Sequence, residues 1–179
     1  MSLKHAILGL LEVNPMSGYE LKRYFDSSIN SYWPATHSQI YRTLDELAKD
    51  GFLIYELIQQ DKNPNKKIFS ITDKGRQELA SWLIQTKKLP SIRHQILLQF
   101  SLSQQLDKEE ILELIKTYKY QLEEKIAILT SPQHAITLDY ARDEKERLIW
   151  ELTLDNGIMF YNNEIEWANR CEKIINIKL

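Results

Sequence analysis

Ser38, Gln39, Tyr41 and Arg42 place a hydroxyl, a carboxamide, a phenol and a guanidinium within one short run of the 179-residue chain. These groups can read nucleic-acid base edges: a guanidinium spans O6 and N7 of guanine, and a carboxamide spans N6 and N7 of adenine. An ordinary solvated helix face would use the same residues. Gln39 stands three residues after Thr36, where it can close a capping box, and Tyr41 can touch a phosphate or thymine methyl or serve as a half-buried packing ring. Lys49 suits a phosphate or the C-terminal dipole of its own helix. Farther on, Lys62, Asn65, Lys66 and Lys67 could reach phosphates or a minor groove, the plainer alternative being a solubilising loop. Ser17, Gly18 and Tyr19 fall where a helix begins, a place suited to a phosphate oxygen, although Gly18 also suits a turn.

Nothing comparable supports catalysis. Histidines 5, 37, 94 and 134 share no metal-ligand spacing, and no Gly-rich phosphate loop is present. Cys171 lies one turn from Trp167 and near Ile174 and Ile175, the setting of a buried, inert thiol. The acids of Asp143-Glu144-Lys145-Glu146-Arg147 alternate with bases, as on a solvated helical turn. The sequence therefore reads as a non-enzyme that needs neither cofactor nor metal. With one cysteine, no signal-like N-terminus and no apolar run near the roughly 20 residues that span a bilayer, the expected setting is the cytoplasm, without a membrane partner.

The elements that position these groups follow from apolar spacing. Leu3, Ile7, Leu10 and Leu11 mark a first helix stopped by Asn14-Pro15. A second, from Ser17, carries Tyr19, Leu21, Tyr24, Phe25 and Ile29 before the break Ser31-Tyr32-Trp33-Pro34. The third begins at Thr36, buries Ile40, Leu44 and Leu47, and ends before Gly51. Ser38, Tyr41, Arg42 and Asp45 are thereby turned outward. Phe52 to Ile58 and Lys67 to Ile71 read as a β-hairpin, and Thr72 caps a helix that carries Leu79, Trp82 and Leu83 toward a core. Three helices, a hairpin and a helix make the order of a winged helix-turn-helix.

Beyond Pro90 the pattern is helical throughout: Ile92 to Leu106, then a longer helix capped by Asp107 with Glu110, then a last helix from about Asp139 to Asn176. The middle helix repeats Ile111, Ile115, Tyr118, Leu122, Ile126 and Leu129 at heptad spacing. The last helix is apolar on two sides, with Leu148, Leu152, Met159, Trp167 and Ile174 on one and Leu154, Ile158, Tyr161, Ile165 and Ala168 on the other. Two apolar sides need two partners, one within the subunit and one in a second copy. The second set, with Gly157 as a point of close approach, is assigned to the dimer seam. The expected fold is thus mainly α with a small β wing: residues 1–89 form a winged helix-turn-helix and residues 90–179 a helical dimerisation domain. Net charge is −2 overall, but residues 1–89 hold 12 basic and 10 acidic side chains and residues 90–179 hold 11 and 15, so the cationic part is in front. That asymmetry permits nucleic-acid binding without requiring it.

Several segments in this order resemble the PadR family of winged-helix regulators. Ala6-Ile7-Leu8-Gly9-Leu10-Leu11, then Met16-Ser17-Gly18-Tyr19-Glu20-Leu21, resemble the family's opening helix and the Gly-Tyr-x-Leu start of its second. Ser38-Gln39-Ile40-Tyr41-Arg42-Thr43-Leu44 through Leu47, with Asp50-Gly51-Phe52-Leu53, resemble its recognition helix and exit. Lys67-Ile68-Phe69-Ser70-Ile71-Thr72-Asp73-Lys74-Gly75-Arg76, with Leu79 and Trp82-Leu83, resemble the strand leaving the wing and the helix after it. The back half resembles the family through Leu152-Thr153-Leu154-Asp155-Asn156-Gly157 and Trp167. Where many relatives have Pro after the recognition-helix Tyr, this chain has Arg42, which can read guanine as Pro cannot. The resemblance implies a homodimeric repressor on double-stranded operator DNA, released by a small aromatic or phenolic effector. Trp33, just before the recognition helix, is the expected effector contact, at a site between front and back halves. A winged helix used as a protein-interaction module, without DNA binding, is the alternative.

Overall fold

The computed structural model describes residues 2–59, 65–85, 93–132, 138–139 and 141–179, which gather into two compact units, Met1–Lys88 and Leu89–Leu179.

In the front unit, α1 (Ser2–Val13) buries Ile7, Leu8, Leu10 and Leu11 and stops before Pro15, whose ring disfavours helical backbone in the residue ahead of it. α2 (Gly18–Ser27) buries Leu21 and Phe25. It ends two residues short of Ile29, because the hydroxyls of Ser27 and Ser28 both donate to the Tyr24 carbonyl and draw the chain into a 3-10 turn over Ile29–Ser31. α3 (His37–Lys49) starts with the expected capping box: the Gln39 N–H donates to Thr36 Oγ1 and the Thr36 N–H to Gln39 Oε1. Ile40, Leu44 and Leu47 are its buried row. Gly51 follows at φ 75°, a left-handed conformation that glycine adopts without a Cβ penalty.

The hairpin is β2 (Leu53–Ile58) and β3 (Lys66–Ile71), antiparallel, with Leu53 opposite Ile71 and Ile58 opposite Lys66. Its tip, including Lys62, lies outside the described residues. A third strand, β1 (Met16–Ser17), pairs with the free side of β3, so that β3 is central. Two residues are too few to show a period, and this strand went unread in the sequence. α4 (Asp73–Leu83) is capped by Thr72, whose Oγ1 accepts from the Gly75 N–H. A Cβ at Gly75 would lie 2.4 Å from the Phe52 carbonyl oxygen, so the close approach of α4 to the sheet demands glycine there. Leu79 packs on the core and Trp82 stacks on His5 of α1, but Leu83, expected inside, is exposed at the helix end.

In the second unit, α5 (Gln95–Ser101) is shorter than the helix expected to Leu106. The Ser101 and Ser103 hydroxyls bond back to the Leu98 and Phe100 carbonyls, and a 3-10 turn over Ser103–Gln105 takes over. α6 (Lys108–Leu129) begins at the Asp107–Glu110 capping box and buries Ile111, Ile115, Leu122 and Leu129. α7 (Glu144–Lys178) begins five residues later than expected, because the Asp143 carboxylate accepts from the Glu146 N–H and fixes the start. At 35 residues it is about 50 Å long.

α6 and α7 pack along each other, and polar clamps join them. Lys119 Nζ donates to Asn169 Oδ1 and Glu172 Oε2, and the Tyr118 hydroxyl donates to Glu164 Oε2 at 2.8 Å. Burial and that bond push the Tyr118 hydroxyl well above its ordinary range. The packing bears on the side of α7 expected at a dimer seam. Ala168 has no exposed surface and sits with Ile111, Ile115 and Ile175, while a Cβ on Gly157 would meet Leu129 at 3.7 Å. Leu154, Ile158, Tyr161 and Ile165 on this side are half-buried. Ala168 and Gly157, expected at a dimer seam, thus lie against α6 of their own chain. Leu148, Ile149, Leu152, Met159, Phe160, Ile174 and Ile177 carry the exposed apolar surface instead. Both sides have helical spacing, so periodicity could not choose between them; the small side chains at 157 and 168 are what let α6 come close.

Candidate nucleic-acid interface

α3 presents the outward face that its buried row leaves over. Ser38, Gln39 and Arg42 are exposed at its N-terminal end, and Lys49 is exposed at the other. The Arg42 side chain is 74% exposed, with Nε 3.8 Å from Glu46 Oε1, one turn on. Gln39 Oε1 accepts from the Thr36 N–H, leaving only its amide N–H groups to address a base. Tyr41 is half-buried, stacked on His37 at 4.2 Å. Its ring also lies where a Cβ on residue 18 would be, 2.7 Å away, so Gly18 makes room for Tyr41 rather than for a phosphate. Tyr19 beside it is 65% exposed.

Ser17 is not available as expected. It is 4% exposed, its hydroxyl donates to Glu20 Oε2 at 2.7 Å and its N–H to the same oxygen at 2.9 Å, while the Glu20 N–H donates to Ser17 Oγ. The N-terminus of α2 therefore already carries an anion. The Ser17 N–H, then Lys66, hold the Glu20 carboxyl down to about 2. Ser17-x-x-Glu20 has the spacing of a capping box, a signal present in the sequence that marks Ser17 as a cap.

The base of the wing is tied to the helices by its own lysines. Lys66 Nζ lies 2.9 Å from Glu20 Oε1 on α2, and Lys67 Nζ lies 3.8 Å from Asp45 Oδ1 on α3 and 4.6 Å from the centre of the Tyr55 ring. Asn65 is exposed beside them. The structure thus brings Tyr19, Arg42, Lys66 and Lys67 to neighbouring elements of the front unit, each lysine already beside a carboxylate. Asp45 is among the residues expected on the outward face of α3, whereas Glu20 enters this face through its pairing with Lys66.

Trp33 is 44% exposed after the 3-10 turn, its N–H donating to the Ile29 carbonyl. Cys171 is half-buried, and burial pushes its thiol up. Among the described residues no His, Cys, Asp and Glu group could hold a metal ion, and no helix is long and apolar enough to cross a membrane.

Residues 7–81 match the model of the transcriptional regulator PadR-like family, and residues 92–176 match that of the virulence activator alpha C-terminal region. The chain is 36% identical over 132 residues to the negative transcriptional regulator PadR of Bacillus subtilis, covering 73% of this chain and 71% of that protein. The fold matches the crystal structure of Bacillus subtilis PadR in complex with operator DNA, with a TM-score of 0.85, 27% identity and coverage of 98% of this chain and 99% of that one. It also matches the complex of the same regulator with p-coumaric acid, with a TM-score of 0.80, 26% identity and coverage of 98% and 99%. The chain belongs to the PadR-like family of transcriptional regulators.

Proposed function

We propose that this chain is a homodimeric repressor that reads a pseudo-palindromic operator with α3 and is released by a small aromatic effector. The observation that carries the reading is the exposed N-terminal end of α3, where Arg42 and Ser38 stand outward from a capped and fully packed helix. Recognition helices set their early residues on base edges, and a rigid start holds those residues in register. Arg42 reads guanine, Tyr19 and Lys49 contact phosphate, and Lys66 and Lys67 follow the backbone from the wing. The same fold in a regulator solved with operator DNA supports this.

Selection of bound fragments from genomic DNA by the purified protein yields the operator. Arg42→Ala then weakens binding to the selected sequence by about 1 to 3 kcal/mol and spares random-sequence DNA. Equal loss on both makes Arg42 a phosphate contact. A protein that enriches no fragment and retains no duplex is a protein-interaction module instead.

The second subunit covers the exposed apolar side of α7, around Leu152, Met159 and Phe160. Large apolar side chains in a row at the surface mark interaction sites, and two-fold presentation of α3 is what a palindromic operator requires. The p-coumaric acid complex of Bacillus subtilis PadR supports an aromatic effector, for which Trp33 is the contact best placed to act on α3, three residues ahead of its cap. Tryptophan fluorescence during titration with hydroxycinnamic acids, with and without the selected operator, tests it: a bound compound that leaves operator affinity unchanged is not the effector.

A further inference from the structure

The geometry points to Glu20 and Asp45 as specificity determinants, carboxylates that hold the wing lysines away from random DNA and yield them only to a seated operator. This inference rests on the DNA-binding reading above and gives the two acids a role within it.

Lys66 is 2.9 Å from Glu20 and Lys67 is 3.8 Å from Asp45, so both described lysines of the wing have an anion of the same subunit beside them. Arg42 and Glu46 repeat the arrangement on α3 at 3.8 Å. Glu20 is fixed by its two bonds from Ser17 and cannot swing aside with its lysine. Binding to random DNA depends almost wholly on cations meeting phosphates, and such a complex is loose, with phosphates at varying distance. At long range in water a phosphate attracts a lysine less than a carboxylate within 4 Å does, so in a loose complex the lysine stays mostly with its carboxylate. A seated complex differs. Once α3 lies in the groove, backbone oxygens are held at hydrogen-bonding distance from the wing, and a charge-assisted bond to phosphate can replace the bond to carboxylate. The acids thus subtract more from random binding than from operator binding. Lys66 belongs to β3 and Glu20 to α2, while Lys67 belongs to β3 and Asp45 to α3, so both pairs join the wing to the helices it must match.

The test uses the full-length protein, a 30-base-pair duplex carrying the selected operator, and a random-sequence duplex of equal length. Glu20→Gln with Asp45→Asn should raise affinity for the random duplex on the order of tenfold near 0.1 M salt and steepen its salt slope by about one to two. Operator affinity should change less than about threefold. Gln at 20 keeps the oxygen that accepts from the Ser17 N–H, so α2 retains its cap, and thermal unfolding checks this. Repeating the pair of substitutions over Lys66→Ala with Lys67→Ala separates holding a lysine from simple loss of negative charge: the gain on random DNA should vanish. A gain that persists without the lysines, or an unchanged random-duplex affinity and slope, overturns the inference while leaving the DNA reading intact. Failure of the unmodified protein to bind either duplex overturns the DNA reading itself.

Discussion

The front unit gathers thirteen buried apolar side chains into one cluster, from Ile7 to Ile71, whereas the cluster between α6 and α7 holds four. The imbalance is not one of composition. Residues such as Leu148, Leu152, Met159 and Phe160 in the second unit are as apolar as any in the first, but they stand at the surface. A winged helix closes its core with a sheet on one side and helices on the other, and what stays outside is chiefly the outer face of β2, with Ile54, Leu57 and Ile58 exposed. A long helix with two apolar sides, met by α6 along its length and by α5 only around Trp167, leaves much of one side over. The front unit closes one large core within the chain, and the second leaves an apolar side of α7 at the surface.

The largest way to break this contrast is through the two units' most comparable side chains. Phe25 has no exposed surface and sits among Ile7, Leu21 and Leu44, so Phe25→Ala should cost about 3 to 5 kcal/mol of unfolding free energy. Met159→Ala on the exposed side of α7 should leave the monomer's unfolding free energy within about 0.5 kcal/mol. Chemical denaturation at low protein concentration measures both. A small cost at Phe25 would mean that the front core is not the closed cluster described, and a large cost at Met159 would mean that α7 has cover within its own chain.

Next in size is the association of two chains. Leu152 and Phe160 are 60% and 51% exposed, so replacing both with Lys loses little internal packing beyond the Phe160–Tyr161 ring contact and adds charges that a second subunit would have to desolvate. Association should weaken by several kcal/mol, at least about 2 for each buried charge. If the proposed dimer forms, sedimentation should show it for the unmodified chain and only monomers for the variant at the same concentration, with helical circular dichroism unchanged. An unaltered dimer would place the seam elsewhere and leave this surface without a partner.

What the sequence made legible follows from how local each signal is. The α3 cap, the Ile40–Leu44–Leu47 row, Gly51, Thr72 and the Asp107–Glu110 cap depend on residues within a turn of one another, and each is found where spacing put it. The β1 strand, the burial of Ser17 and the role of Gly75 depend on distant chain: Met16 needs Phe69 across from it, and Gly75 needs the Phe52 carbonyl. The choice of which side of α7 meets α6 is of the same kind, since periodicity gives sides without neighbours. At the candidate interface the cations were legible as residue types. Their carboxylate partners were not, because Lys66 and Glu20 are 46 positions apart.

The smallest effect tests whether the two units also differ in how acid loosens them. In the front unit Glu20 is held down to about 2 from 4.5, first by the Ser17 N–H and then by Lys66, and Glu78 is lowered by Lys4 and His5. In the second unit Glu146 is lowered by Arg142. A carboxyl whose folded value lies below its unfolded value binds protons more readily when unfolded. Its contribution is therefore complete above about pH 5 and is lost as pH falls through the folded value. For Glu20 the window runs from about pH 5 to pH 2. Its side chain is 47% exposed, so solvent screening reduces what the shift would otherwise imply, to about 1 kcal/mol. Glu20→Gln keeps the cap but cannot ionise, so the unmodified protein should be the more stable of the two by about that amount at pH 6, and the two should converge as pH approaches 2. Thermal unfolding at pH 6, 4 and 2.5, followed by His5-stacked Trp82 for the front unit and by Trp167 for the second, separates the units with single-tryptophan variants. Convergence seen at Trp82 and absent at Trp167 assigns the acid-labile pair to the front unit. A constant difference across the range would mean that Glu20 acts through its shape as a cap and not through its charge.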